Sequence, residues 1–269
     1  MIRAFVFPGQ GAQTIGMGRA LAEAYPAAKA VFDEVDEALG EKLSALIWEG
    51  DQEELTLTRN AQPALMATSL AAMRALAAEG VTVEAAAFVA GHSLGEYSAL
   101  AAAGAISVAD TARLLRTRGQ AMQDAVPVGH GAMAALLGLD FEAVHKIAKR
   151  AAHDTRKVCE AANDNDPAMA EALSHVAVEA PKVPVVANVL AHDVNDPETI
   201  RSLLVDQVTH SVRWRESVAW MVKQGVTEFW EIGAGKALSG MIRRIDRSAA
   251  TRQVGTPDEV KAAVESLAE

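Results

Sequence analysis

The chain has 269 residues, half of them hydrophobic, with 35 acidic against 25 basic side chains, a formal net charge of -10 and a single cysteine, Cys159. That length suits one large domain, or a large domain carrying a smaller one, and the apolar fraction excludes global disorder. The acidic balance excludes wholesale nucleic-acid binding, no apolar run approaches the roughly 20 residues of a membrane span, and one cysteine excludes an internal disulfide and fits a reducing cytoplasm.

In chain order, Ala4–Phe7 reads as a short buried strand that breaks into the loop "PGQG". This start lacks the longer apolar segment and cleavage site of a signal peptide. Helical periodicity follows from about Met17 to Leu39 and again from Ala64 to Ala78, ended by Gly80. Ala86–Ala90 is a second strand, Leu94–Ala103 the helix after it, and Val108–Ala125 a further helix. A β-α-β unit is expected from Gly131 to about Asn163. Val183–Val189 predicts a strand, Glu198–Val208 and Ser217–Lys223 helices, and "VTEFWEIGAGKAL" a strand, glycine loop and helix, before a last helix at Glu259–Ala268. The alternation predicts an α/β fold with a mainly parallel sheet.

Gly91, Ser93 and Gly95 form G-x-S-x-G between a predicted strand and a predicted helix, the context of a nucleophile elbow. A tight turn there forces the serine into a strained conformation and sets its hydroxyl at a helix N-terminus. Leu94 N–H, just after the serine, is the natural oxyanion donor. The motif alone leaves esterase, lipase and acyltransferase open. "GQGAQT" is no dinucleotide fingerprint, because Thr14 stands where the third glycine belongs. "GAGKAL" is no P-loop, because Trp230 and Ala237 replace the required residues. Neither paired histidines nor further cysteines offer a metal site. Arg113, Arg116 and Arg118 crowd one helical stretch, and Lys236, Arg243, Arg244 and Arg247 another. Taken alone, both read as solvated helix faces.

"FPGQGAQTIGMG", "QPALMATSLA", "GHSLGEYSAL", "RGQAMQDAVP", "GAMAALLGL" and "VPVVANV" occur in one order over nearly the whole chain. Together they resemble the malonyl-CoA:acyl carrier protein transacylases of fatty-acid synthesis. The resemblance implies an α/β-hydrolase-like large domain (1–127 and 180–269) and a small ferredoxin-like insert (128–179). It implies ping-pong transfer from malonyl-CoA to acyl carrier protein through a serine ester, with no tightly bound cofactor. It makes Ser93 the nucleophile, adds Gln10 N–H to Leu94 N–H in the oxyanion hole, and turns Arg118 into a clamp for the malonyl carboxylate. It puts Gln207 where a backbone carbonyl orients the catalytic imidazole, and Asn163 near the acyl pocket, although a turn asparagine reads the same way. Acyl carrier proteins are acidic, so Lys236, Arg243 and Arg244 become a candidate docking face.

The sequence departs from the resemblance at one place. Relatives continue after "CEAANDNDP" through several tens of residues that include the catalytic histidine, whereas here Pro167 runs directly into Ala168. The small insert loses half its elements, which would leave a sheet edge and an apolar face bare. A longer natural chain, a deletion and a degenerate paralogue would all leave this pattern. No other histidine lies in a motif resembling the family's base. His92 is expected to pack structurally beside Ser93, His130 lies in a hinge loop, and His145 and His153 lie on a solvent-facing helix. His175 follows the junction, and His192 and His210 lie in or beside loops, the last being nearest in sequence to Gln207. A non-catalytic CoA- or carrier-binding paralogue, and more remotely a serine esterase, stay open as alternatives.

Overall fold

A computed structural model describes residues 1–125, 141–155, 167–208 and 210–267. The chain begins with β1 (Arg3–Phe7), followed by α1 (Arg19–Ala24), α2 (Pro26–Leu39), α3 (Leu43–Glu49), α4 (Gln52–Thr56) and α5 (Thr58–Ala78). Then come β2 (Phe88–Gly91), α6 (Leu94–Ala102), α7 (Val108–Ala125), α8 (Phe141–Thr155) and α9 (Pro167–Ser174). The C-terminal part supplies β3 (Val185–Val186), β4 (Asp193–Val194), α10 (Pro197–Gln207), α11 (Trp214–Lys223), β5 (Glu228–Ile232), α12 (Ala237–Ile245), β6 (Ala250–Val254) and α13 (Pro257–Glu265). Among the described residues no helix is long and apolar enough to cross a membrane.

The strands form one sheet in the order β4-β3-β2-β1-β5-β6, parallel throughout except for β4, which runs antiparallel to β3. This is the α/β fold with a mainly parallel sheet that the sequence predicts. Parallel strands are covered on both faces and read as continuous apolar runs. "AFVF" of β1 is fully buried, and Phe5 stacks on Trp230 of the neighbouring β5 with ring centres 5.3 Å apart. Helix α5 is sunk between α2, α6 and α7, and almost every side chain from Asn60 to Leu76 is buried.

Three local expectations change, and one strand, β6, was not predicted. The helix expected over Met17–Leu39 is broken at Tyr25, which is extended at φ -127°, ψ 111°, because the residue before a proline is pushed out of the helical region and Pro26 starts a new helix. Helix α5 starts six residues before the expected Ala64 and carries Pro63 inside. Its first N–H is capped from another helix, Thr58 N–H donating to Gln123 Oε1 at 3.0 Å, a tertiary bond invisible to a local pattern. The expected strand Val183–Val189 shrinks to Val185–Val186, because Asn188 is withdrawn to serve the turn at Ser93. Strand β6 carries no clear apolar alternation; its register against β5 is set from outside the segment. Of the β-α-β unit expected at Gly131–Asn163, only its helix, α8, lies within the described residues.

Candidate active site

Loops leaving the C-terminal ends of β1, β2, β3 and β5 converge on one edge of the sheet, where open α/β sheets carry their sites. Ser93 sits between β2 and α6 at φ 54°, ψ -113°, one of two non-glycine residues with positive φ among those described. Strain of that kind persists only where the surroundings enforce it. Here they do. A Cβ on Gly91 would lie 1.9 Å from the Gly95 carbonyl, and one on Gly95 would lie 2.2 Å from the Phe7 carbonyl oxygen. The two motif glycines therefore let strand, turn and helix close on each other. Gly9 abuts His92 in the same manner, which lays the loop carrying Gln10 alongside the elbow.

Side chains from distant segments lock the turn. Ser93 N–H donates to Asn188 Oδ1 at 2.8 Å, and Asn188 Nδ2 donates to the Gly91 carbonyl at 2.7 Å. Gln207 Nε2 donates to the Ser93 carbonyl at 3.0 Å and to Glu96 Oε2 at 2.6 Å. Glu96 Oε2 also accepts from Asn188 N–H at 3.2 Å. Leu94 is fully buried and opens α6, so its N–H has no carbonyl one turn earlier to bond.

Arg118 is 3 % exposed, which overturns its reading as a solvated helix charge. Its Nη1 donates to Gln62 Oε1 at 2.8 Å, and its Nη2 donates to Ser93 Oγ at 3.0 Å and to Gln207 Oε1 at 3.3 Å. Its guanidinium also lies over the Tyr97 ring, 5.7 Å from the centroid. Burial lowers its proton affinity, opposed by Tyr97 and Glu96, and no described carboxylate touches it. Its neighbours behave as the sequence expects: Arg113 is exposed and paired with Asp110, and Arg116 is half-buried on Asn60 and Glu41.

Electrostatics around the elbow follow from burial. Desolvation pushes the Glu96 carboxyl up to about 7, against the bonds from Gln207 and Asn188 and the charge of Arg118. Desolvation, helped by Arg118, pushes His92 down to about 4. His92 is therefore neutral near pH 7, and it packs edge-on against Trp214 with ring centres 5.8 Å apart.

The remaining sequence candidates fall apart in space. Gln10 is exposed and its Nε2 reaches Thr58 Oγ1 at 3.3 Å. Gln207 is buried and enters the site through its side chain. Lys236, Arg243 and Arg244 are exposed at the start and last turn of α12. Asn163 and His130 lie outside the described residues, as does the side chain of His145. His153, His175, His192 and His210 are exposed, with the Nδ1 of His192 and of His210 held on backbone carbonyls. No described histidine is hydrogen-bonded to Ser93 Oγ; the partner there is Arg118. Three residues of the site carried no individual signal in the sequence: Gln62, Glu96 and Asn188. Asn188 is a lone polar residue in an apolar strand run, which was the available clue, whereas Gln62 and Glu96 stand among other polar residues that mask them.

The chain as a whole is similar to known proteins. The acyl transferase domain model matches residues 4–166, ending one residue before Pro167. The malonyl CoA-acyl carrier protein transacylase of Bacillus subtilis is 40% identical over 312 aligned positions covering 99% of this chain and 97% of the relative. Because this chain has 269 residues, at least 43 of those positions (312 less 269) face no residue here. The crystal structure of the acyl-carrier-protein-S-malonyltransferase of Bartonella henselae superposes with a TM-score of 0.93 at 46% identity, covering 100% of both chains. A malonyl-transacylase solved in complex with its type II PKS acyl-carrier protein gives a TM-score of 0.88 at 33% identity, covering 99% of this chain and 100% of that one.

Proposed function

We propose that this chain, which belongs to the acyl transferase family of malonyl-CoA:acyl carrier protein transacylases, moves a malonyl group from malonyl-CoA to the phosphopantetheine thiol of an acyl carrier protein in fatty-acid synthesis. The observation that carries this reading is the buried Arg118 guanidinium donating to Ser93 Oγ at 3.0 Å. A buried cation without a carboxylate in contact is costly unless a ligand supplies one. The free carboxylate of a malonyl group does so, and the planar guanidinium fork matches it with two parallel charge-assisted bonds. A neutral ester has no use for that cation, which sets the serine esterase aside.

In the first half-reaction Ser93 Oγ adds to the thioester carbonyl carbon and the oxyanion is held by the N–H groups of Leu94 and Gln10. The C–S bond then breaks, CoA leaves as the thiol, and the malonyl group remains as an ester on Oγ. In the second half-reaction the carrier thiol adds to that ester and Ser93 is released. Each half needs a group to take one proton and return it. We place the family's base in the stretch that relatives carry and this chain lacks after Pro167, consistent with the 312 aligned positions against 269 residues; in this chain water takes the proton from Ser93 Oγ and returns it to the leaving thiolate, and both halves run slowly. Residues 128–179 are then what remains of the family's small insert, with Asn163 near the acyl pocket, and Gln207 lies where its backbone carbonyl would orient the base. No tightly bound cofactor enters these steps, and we assign the reaction to the cytoplasm. The carrier docks on the basic end of α12, at Lys236, Arg243 and Arg244, as the acidity of carrier proteins favours.

One observation favours a second reading, a binding module that keeps the pocket without the base: among the described residues no histidine is bonded to Ser93 Oγ. Losing a triad member leaves roughly 10³–10⁴-fold acceleration over water from the oxyanion hole and binding alone. The two readings separate when the protein is incubated with malonyl-CoA and the thiol form of an acyl carrier protein, and the carrier is weighed. Malonyl-carrier that forms with Ser93 and fails with Ser93→Ala supports transfer. Saturable malonyl-CoA binding with no malonyl-carrier supports the binding module.

A further inference from the structure

Glu96 takes no direct part in the steps above, yet the two partners of its carboxylate are the two side chains that hold the Ser93 backbone. It is 2 % exposed, in the first turn of α6, and its Oε2 accepts from Gln207 Nε2 at 2.6 Å and Asn188 N–H at 3.2 Å. Both partners also hold Ser93: Gln207 Nε2 donates to its carbonyl at 3.0 Å and Asn188 Oδ1 accepts from its N–H at 2.8 Å. The orientation of the Gln207 amide is forced by this setting. Its NH2 meets two acceptors, Ser93 O and Glu96 Oε2, while its Oε1 meets the Arg118 donor at 3.3 Å. The flipped amide would oppose donor to donor and acceptor to acceptor. Arg118, the Gln207 amide and Glu96 therefore form one polarised chain, cation to carboxylate, inside a buried volume.

We infer that Glu96 is a positioning residue for the transfer, acting through Gln207 as the counter-charge of Arg118 in the empty site and yielding that role to the carboxylate of the bound malonyl group. This rests on the reading of Arg118 as the malonyl clamp. With malonyl absent, the Glu96 carboxylate is, among the described residues, the one carboxylate linked to the guanidinium. With malonyl bound, two carboxylates share one cation, and the buried one is the cheaper to neutralise. Binding of the malonyl group should then draw a proton onto Glu96. Among the described residues, the other charged or titratable groups facing Glu96 are Arg118 on α7 and Tyr97 on its own helix. Gln207 of α10 and Asn188 after β3 are neutral amides, and no charged group of β1, β2 or α5 acts on it.

The experiment is calorimetric binding of malonyl-CoA, with acetyl-CoA as the comparison, to Ser93→Ala protein so that no ester forms. Titrations run near pH 7 in buffers of different ionisation enthalpy. With Glu96 poised at about 7, malonyl-CoA should take up a fraction of a proton, up to roughly one half, and acetyl-CoA none. The uptake should vanish in Ser93→Ala/Glu96→Gln. A second readout needs no further variant. The affinity ratio of malonyl-CoA to acetyl-CoA should fall several-fold as pH rises from about 6 to about 8, because the bound state holds the proton more tightly. Malonyl preference without proton uptake, or uptake that survives Glu96→Gln, overturns the role of Glu96 and leaves the clamp intact. Equal affinity for the two esters at every pH overturns the clamp itself.

Discussion

Replacing Arg118 with methionine removes the guanidinium and keeps most of its volume. The buried fork donates to Gln62, Ser93 and Gln207, and it is the only described cation touching the nucleophile. Two charge-assisted bonds to the malonyl carboxylate are worth about 1.5–3 kcal/mol each, or about 3–6 kcal/mol together. At about 1.4 kcal/mol per decade, kcat/KM for malonyl-CoA should fall roughly 10²–10⁴-fold, while acetyl-CoA is little affected. Stability should move far less. Gln62 Oε1 and Gln207 Oε1 lose a donor, at about 1–3 kcal/mol each, but a buried cation without a carboxylate in contact is also removed. The two effects oppose, and urea denaturation should place Arg118→Met within about 2 kcal/mol of the parent. Single-turnover labelling with the two esters measures the discrimination. Unchanged preference for malonyl-CoA in a folded Arg118→Met protein would refute the clamp.

Three other outcomes follow from the same geometry. Gly95→Ala forces a Cβ to within 2.2 Å of the Phe7 carbonyl oxygen, a backbone atom that cannot swing away, so denaturant unfolding should show a loss of about 2–4 kcal/mol and labelling at Ser93 should fall with it. His92 has a folded-state pKa of about 4 below its ordinary 6.5, so the unfolded chain binds the proton first. Its contribution is present above pH 6.5 and lost as pH falls toward 4; the acid limb of a stability–pH curve should therefore flatten in His92→Asn, by roughly 1–3 kcal/mol at pH 4. Reversing Arg243 and Arg244 to Glu on the exposed last turn of α12 should raise KM for the carrier about tenfold, increasingly at low salt, and leave CoA-ester hydrolysis unchanged. An unchanged KM removes that docking face.

Apolar runs and turn residues made the sheet legible, because a strand covered on both faces is mostly apolar: β1 and β5 stand in "AFVF" and "VTEFWEI", and β2 lies at Phe88–Gly91, beginning two residues after the expected Ala86. The start of α5 and the two-residue β3 were not legible, because Gln123 caps the first and the duty of Asn188 at the elbow shortens the second, both across long sequence separations. Within the site the strained serine was legible from its glycines, which are needed for close approach whatever the chemistry. The burial of Arg118 was not legible from its own helix, where it reads as one of three exposed arginines. Only the converging α5, α6 and α10 put Gln62, Ser93 and Gln207 around it. Glu96 and Asn188 were silent for the same reason, since each gains its meaning from a partner that the sequence does not adjoin.

The claim that a serine ester forms at Ser93, selected by a buried arginine, is tested most directly by intact-protein mass after incubation with malonyl-CoA or acetyl-CoA. The account predicts a single malonyl-sized increment over the starting mass. That increment should build up slowly in the absence of the family's base, be absent with acetyl-CoA, and disappear in Ser93→Ala. No increment at saturating malonyl-CoA, or one that persists in Ser93→Ala, would contradict it.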